Sequence, residues 1–497
     1  MNENGKSDSD KVPEKFSNKS EKSDAEKMEG RKLTKENERQ RHMRQTQGWE
    51  SVHSKLQLVH QKAKEDKKRR FTALMHHIYD IDVLRAAYSC LKRNAAPGID
   101  KETWRSYGEN LEGNLQALSE KLKKNAYRAK PVRRVYIPKP DGRQRPLGVT
   151  ALEDKVVQRA TVEVLNAIYE ADFLGYSYGF RPGRNQHKAL DAVYAGLVVS
   201  KVDYVLDADI RDFFGSINHE WMVKFIEHRI ADKRVVRLIQ KWMNAGVLED
   251  EEVTYSEAGT PQGGSISPLL ANVYLHYAYD LWVKQWRKKQ GYGNVIFVRF
   301  ADDSVAGFQY KSDAEQFLME LKERLRKFGL ELHPEKTRLI EFGRYASEMR
   351  RKRGEGKPET FKFLGFTHIC GKTKGGKFTV HRQTIVKKLH AKVKAVKAEL
   401  IKRMHAPIQD TGKWLKTVVV GHFQYFGVTG NFKAMNVFRY RVYWTWRRVL
   451  SRRSQKGYVT WNKMDALIKR WMPNPQIYHE HPLRRIGVIT QGRSRVR

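Results

Sequence analysis

The sequence predicts an α+β fold: a small antiparallel sheet of split βαβ type, backed by helices and followed by a basic helical region. Two apolar runs, Val205–Ile210 and Val298–Val305, each deliver carboxylates to the end of a strand. Around them the apolar spacing alternates between strand and helix periods in the order strand–helix–hairpin–helix–strand. Beyond Gly376 the pattern turns helical and cationic, with 27 Lys or Arg against 4 Asp or Glu over residues 377–497.

At 497 residues the chain is long enough for two or three domains. Its 95 Lys and Arg against 56 Asp and Glu leave a formal charge of +39, far beyond what solubility needs, which points to nucleic acid or an anionic surface. The 11 Trp, 22 Tyr and 21 Phe set many aromatic faces among these cations, as suits unpaired bases. Only Cys90 and Cys370 occur, which excludes a disulfide framework and a cysteine-rich zinc site. No apolar run approaches a membrane span and the N-terminus lacks an apolar signal core, so a cytoplasmic protein with no membrane partner is expected.

Taken in order, residues 1–70 carry 19 basic and 13 acidic residues with little apolar periodicity, and predict a solvated, disordered arm. Asp80–Lys92 reads as an amphipathic helix closed by the turn formers of Asn94–Asp100, and Asn110–Asn125 as another. Val132–Val149 reads as a hairpin around Pro140-Asp-Gly142, and helical spacing resumes over Leu152–Tyr169. A strand ends at Asp209, and helices follow around His219–Arg229, Val235–Ala245 and Pro268–Gln285. Asn294–Phe300 and Ser304–Phe308 make a hairpin with Asp302 and Asp303 at its turn. Ser312-Asp-Ala-Glu315 has the form of a capping box, opening a helix with Ala314, Phe317, Leu318, Leu321, Leu325 and Phe328 on one face and Gly329 as its stop. Short extended pieces, Leu330–His333 and Arg338–Phe342, come next. Ile385–Met404 is a Lys-rich helix, and residues 432–453 interleave aromatics with six Arg and Lys433.

Carboxylates delivered to strand ends are costly unless a cation compensates them. Asp209, Asp302 and Asp303, brought side by side on adjacent strands, would form a hard-oxygen site suited to Mg²⁺. Nucleotidyl transfer needs two such ions, one at the attacking oxygen and one at the leaving group. Asp207 lies two residues before Asp209 and shares its face in a strand, so alternation leaves it open as a further ligand.

The blocks Asp207-Ala-Asp-Ile-Arg-Asp-Phe-Phe-Gly-Ser-Ile217, Gly259-Thr-Pro-Gln-Gly-Gly-Ser-Ile-Ser-Pro-Leu-Leu270 and Phe300-Ala-Asp-Asp303 resemble successive polymerase blocks of bacterial group II intron-encoded reverse transcriptase/maturases. Ala96–Asp100, Ile137–Gly148, Tyr178–Arg184, Leu332–Thr337 and Phe361–Phe366 extend the series, so the resemblance runs from about residue 80 to 480 with its blocks in order. It implies a right-hand polymerase followed by an α-helical thumb/maturase domain. The division implied is an arm over 1–70, fingers over 71–200, a palm over 201–376, the helical domain over 377–480 and a basic tail over 481–497.

The resemblance also implies roles. Asp209, Asp302 and Asp303 would bind two Mg²⁺ ions, with Mn²⁺ able to substitute. Lys139, Arg143 and Arg145 would hold the incoming triphosphate, Phe214 would lie under the sugar and select deoxynucleotides, and Gln262 would line the nucleotide pocket. Lys336 would act as a general acid near the leaving pyrophosphate, and Phe363, Leu364 and Gly365 would position the primer end. Phe300 stands where most members carry Tyr; the ring is kept and the hydroxyl lost.

Gly421–Asn431 and Trp444–Arg453 match the maturase region, with Arg447, Arg448, Arg452 and Arg453 as RNA contacts. The partners implied are group II intron RNA, an RNA template with a DNA primer, dNTPs, target DNA and, as an option, a second copy of the chain. No cysteine-pair zinc module or His-Asn-His nuclease follows, so the endonuclease-lacking form is expected. A host-recruited reverse transcriptase, in antiviral defence or beside a CRISPR system, and a splicing factor that does not polymerise are the competing readings.

Overall fold

The structure, a computed structural model, describes residues 52, 54–138, 144–249, 252–254, 259, 263–454 and 457–485. It is a mixed α+β molecule with three small sheets and a C-terminal helical region. In chain order the strands are β1 (Val132–Pro138), β2 (Gln144–Val149), β3 (Tyr204–Ala208), β4 (Val247–Glu249), β5 (Glu252–Thr254), β6 (Val295–Phe300), β7 (Asp303–Phe308), β8 (Arg338–Glu341), β9 (Phe361–Phe363), β10 (Phe366–Lys372) and β11 (Phe378–Thr384).

The central sheet has the order β6-β7-β3-β8, and each of its pairs is antiparallel. Alternation along β3 explains its burial on both faces. Leu206 and Ala208 enter one large core with Ala306, Phe308 and the helices around them. Val205 enters a second core with Val298, Val305 and Ile340, covered by helix Gln186–Val199 and the β9–β11 sheet. Asp207 shares the face of Val205, and Asp303 that of Val305, so both carboxylates belong to the second face. A second sheet, β2-β1-β4-β5, is built on the expected β1–β2 hairpin, with β4 joining β1 in parallel.

Several expected elements form with changed ends. Residues 54–65, inside the segment expected to be a disordered arm, form a helix whose Leu56, Val59 and Ala63 are buried. The apolar spacing there is helical but short among charges. Helix Lys311–Arg326 starts before Ser312, with Tyr310 at its N-cap and no side-chain cap bond. The Asp313 carboxylate accepts instead from the Gly293 amide at 3.0 Å, a contact from outside the helix that the local capping pattern cannot anticipate. The helix begun at Ser267 passes through a π-turn at His276–Asp280 before continuing to Lys289. Such a turn inserts a residue and re-aims the side chains beyond it.

Residues after Gly376 do not become helical at once. β11 pairs with β10 over Phe378–Thr384, and the helical region begins at Val386. The cations of this stretch resemble the Lys-rich helix that follows, but Arg382 points inward to Asp191, at 3.1 Å. Four helices, Val386–Lys402, Ile408–Phe426, Phe432–Leu450 and Trp461–Trp471, then enclose a third core. Met435, Phe438, Val442 and Trp446 recur at helical spacing and are fully buried. Each contributes roughly 1.5–3 kcal/mol, and Trp446→Ala alone would cost about 3–5 kcal/mol.

Candidate active site

β3 and β7 pair Ala208 with Ser304, so one further step in register sets Asp209 beside Asp303. Asp302 occupies the turn from β6, where Phe300 pairs with Asp303 and Ala301 holds a φ of +56°. A non-glycine residue in that region needs support, and a buried network supplies it. Arg299, fully buried, donates to Asp280 at 2.7 and 2.6 Å, to Ser177 at 2.8 Å and to the Ala301 carbonyl at 2.8 Å. The π-turn brings Asp280 to this position. Asn272 touches the same guanidinium and donates to the Gly179 carbonyl at 2.7 Å. Gly179 lies so close under the turn that a Cβ there would sit 2.3 Å from the Ala301 nitrogen. Sequence reasoning missed this support, although Arg299 in the middle of an apolar strand was a visible signal.

The three carboxylates crowd one another. Asp303 is exposed along one edge, but the protein packs around the rest of it; that burial and the charges of Asp302 and Asp209 push its pKa up to about 7. Asp302 is also raised, by burial and then Asp209, against the opposing pull of Arg145 and Lys336. Lys336 donates to Asp209 at 2.5 Å, and the Asp209 carbonyl accepts from the His333 amide at 2.8 Å. Asp207 is pushed up to about 6 by burial, opposed by Arg338 and the Lys362 amide. It joins the sheet to β9.

Whether these residues fit divalent metal turns on donor type and charge. All three offer hard oxygens, and their mutual repulsion is what a cation relieves. Among the described residues no three His, Cys, Asp or Glu side chains stand ready-made as a ligand shell. The carboxylates are neighbours that a cation would have to gather.

The remaining expected residues divide. Arg145, on exposed β2, acts on Asp302 from across the cleft. Lys139, Arg143 and Gln262 lie outside the described residues. The flanks of Gln262 are placed: Gly259 is held by the Ile217 carbonyl at 2.7 Å, and a Cβ on Gly263 would meet the Gly148 oxygen at 2.4 Å. Phe213 is core, whereas Phe214 is half-buried and keeps part of its ring accessible. Phe363 is 3% exposed and packs in the second core; only Leu364 of the expected primer-positioning trio is half-buried, its carbonyl held by Tyr425 at 2.9 Å.

Of the expected RNA contacts, Arg447 is boxed by Trp461, 3.7 Å below its guanidinium, and by Tyr458, whose hydroxyl it reaches at 2.7 Å. Arg453 is engaged by the Ala406 carbonyl at 2.7 Å. Arg448 and Arg452 line an open groove. No helix among the described residues is long and apolar enough to cross a membrane.

Residues 137–368 match the family described as reverse transcriptase (RNA-dependent DNA polymerase). The chain is similar to protein YkfC of Escherichia coli K12, at 34% identity over 240 residues, covering 42% of this chain and 62% of that protein. It is similar to the group II intron-encoded protein LtrA of Lactococcus lactis subsp. cremoris, at 34% over 238 residues, covering 47% of this chain and 39% of that one. A mitochondrial protein named nuclear intron maturase 2, from Arabidopsis thaliana, is 24% identical over 243 residues, covering 40% and 31%. The chain thus spans less than two thirds of the length of each of these relatives.

Proposed function

We propose that this chain, whose residues 137–368 carry a reverse transcriptase domain, is an RNA-directed DNA polymerase that also binds a group II intron RNA to promote its splicing and retrohoming. The single observation that carries the first half is the β3–β7 register, which sets Asp209 beside Asp303 with Asp302 in the adjoining turn. In this reading the molecule is a right hand, with fingers over 71–200, palm over 201–376 and a helical thumb/maturase domain over 377–480.

Asp209, Asp302 and Asp303 would hold two Mg²⁺ ions, which when bound activate the attacking hydroxyl and stabilise charge on the triphosphate. The protein's own groups do the rest. Arg145 draws the triphosphate over the carboxylates, together with Lys139 and Arg143. Phe214 presents its accessible ring to the sugar and excludes a 2′-hydroxyl by contact. Lys336, poised at Asp209, holds a proton where pyrophosphate departs. Arg299 and Asp280 keep the turn rigid, so positioning costs little at the moment of reaction.

The intron reading rests on the similarity to group II intron-encoded proteins and on a C-terminal region with 27 cations against 4 carboxylates. RNA phosphates would neutralise that excess, with steep salt dependence. Primer extension on an RNA template tests the enzyme. Asp302→Ala should lose about 10³-fold in rate, as fits a contribution of several kcal/mol from a metal centre. Extension by the variant at the parent rate would overturn the metal assignment. Splicing of a co-transcribed intron with and without the protein tests the second half.

A further inference from the structure

Helices Val386–Lys402 and Phe432–Leu450 leave a groove of about 430 Å³ on the outside of the third core. Lys397, Arg441, Arg448 and Arg452 line it, and no carboxylate does. None of these four is ion-paired among the described residues. The same helix already buries Phe438, Val442 and Trp446 on its inner face. Tyr440 and Trp444, one helical turn apart on the outer face, are therefore surplus to that core. They are 61% and 36% exposed, with ring centres 5.9 Å apart.

Full burial of such a ring is worth roughly 1.5–3 kcal/mol; Tyr440 forgoes more than half of that and Trp444 about a third, and together they offer adjoining ring faces that a ligand can cover. Val393 and Met404 supply an apolar lining between the cations. Trp444 is braced edge-on by Trp461 at 5.1 Å, and Arg447 clamps Trp461 in turn. The rings are thus held in place rather than free to fold away.

An apolar, aromatic groove with cations at its edges and no acidic group matches one chemistry: a flat base over the rings with phosphates beside it. A paired duplex hides its base faces and offers only phosphate. We propose that this groove binds an unpaired stretch of nucleic acid, with bases on Tyr440 and Trp444 and phosphates on Arg441, Arg448 and Arg452. The proposal rests on the reading that the chain handles RNA, and places a single-strand site on the helical domain away from the carboxylates.

The test uses the full chain and labelled strands: a uridylate homopolymer, the deoxy equivalent, an abasic strand of equal charge and a hairpin duplex. The based strands should bind about tenfold more tightly than the abasic one, since stacking contributes on the order of 1–3 kcal/mol per base. Tyr440→Leu, and Tyr440→Leu with Trp444→Leu, should abolish that preference while leaving the salt slope unchanged. Arg448→Gln with Arg452→Gln should instead flatten the slope by about 1.4, at 0.7 per phosphate contact, and keep the preference. RNA bound above DNA would assign the strand as RNA; equal binding would assign any single strand. Equal binding of based and abasic strands, or a preference that survives in Tyr440→Leu with Trp444→Leu, overturns the proposal. Primer extension measured on the same preparations separates the two readings. Normal extension without base preference sinks the groove alone, and lost extension with the preference intact sinks the polymerase alone.

Discussion

Arg299 and Asp280 are both fully buried and meet through two hydrogen bonds of 2.7 and 2.6 Å, beneath the turn that carries Asp302. One residue comes from a β-strand and the other from a π-turn, nineteen positions earlier in the chain. The pair also fixes the Ala301 carbonyl, so the local conformation of the acidic turn depends on it.

Removing one partner strands the other charge in the core. Arg299→Met and Asp280→Leu should each cost roughly 3–5 kcal/mol in urea unfolding. Arg299→Met combined with Asp280→Leu should cost clearly less than the sum, because the double variant leaves no orphaned charge. Additive losses would show that the two side chains do not act as a pair.

Gly179 offers a sharper probe of the turn. A Cβ there meets the Ala301 nitrogen at 2.3 Å, whereas one on Gly175 meets nothing within 4 Å. Gly179→Ala should destabilise by about 1–3 kcal/mol and slow primer extension by up to about 10²-fold, as displacement of a reacting group does. Gly175→Ala should stay within about 0.5 kcal/mol of the parent. Similar behaviour of the two variants would refute the close approach as a constraint on the site.

Two cleft residues should separate in their kinetics. Arg145→Gln should raise KM for dNTP by roughly 10–150-fold, the equivalent of one charged hydrogen bond of about 1.5–3 kcal/mol. Phe214→Ala should leave dNTP use nearly intact but raise ribonucleotide incorporation by about 10–200-fold, as expected for a small steric discriminator. Unchanged sugar selection in Phe214→Ala would return that ring to core packing.

Asp154 should give the fold a pH dependence of its own. Its carboxylate accepts from the Tyr127 hydroxyl and from the Lys130 amide at 3.1 Å, yet burial pushes its pKa up to about 6. The folded state then keeps a proton that the unfolded chain releases near its ordinary value of 3.8. Stability from this group is full below about pH 4 and lost as pH rises through 6, by on the order of 2–3 kcal/mol. Asp154→Asn should lack that slope, so the parent-minus-variant difference curve should fall as pH rises from about 4 through 6. A difference curve flat across this window would place the proton elsewhere.

The carboxylate set was legible because period-2 alternation and two acidic strand ends are local features. So were helix Ile81–Ser89, capped by Asp80, and helix Lys311–Arg326 with its Phe317, Leu321 and Leu325 face. β11 was not, since a short polar run holding His381 and Arg382 between glycines and a Lys-rich helix shows no clear strand period until β10 and Asp191 claim it. The N-terminal helix 54–65 was missed for a related reason: its few apolar residues count only when another core receives them.

Composition and pattern alone determined that this chain is α+β, strongly basic, and equipped with Asp209, Asp302 and Asp303 at strand ends. These follow from side-chain period and charge, which need no long-range contact. Tertiary structure decided the rest. It buried Arg299 against Asp280 under the turn, left Phe214 half-buried where Phe213 is core, and committed Arg447 to an aromatic box while leaving Arg448 and Arg452 on an open groove. A cation's role is set by which groups desolvate it, and those groups come from residues distant in sequence.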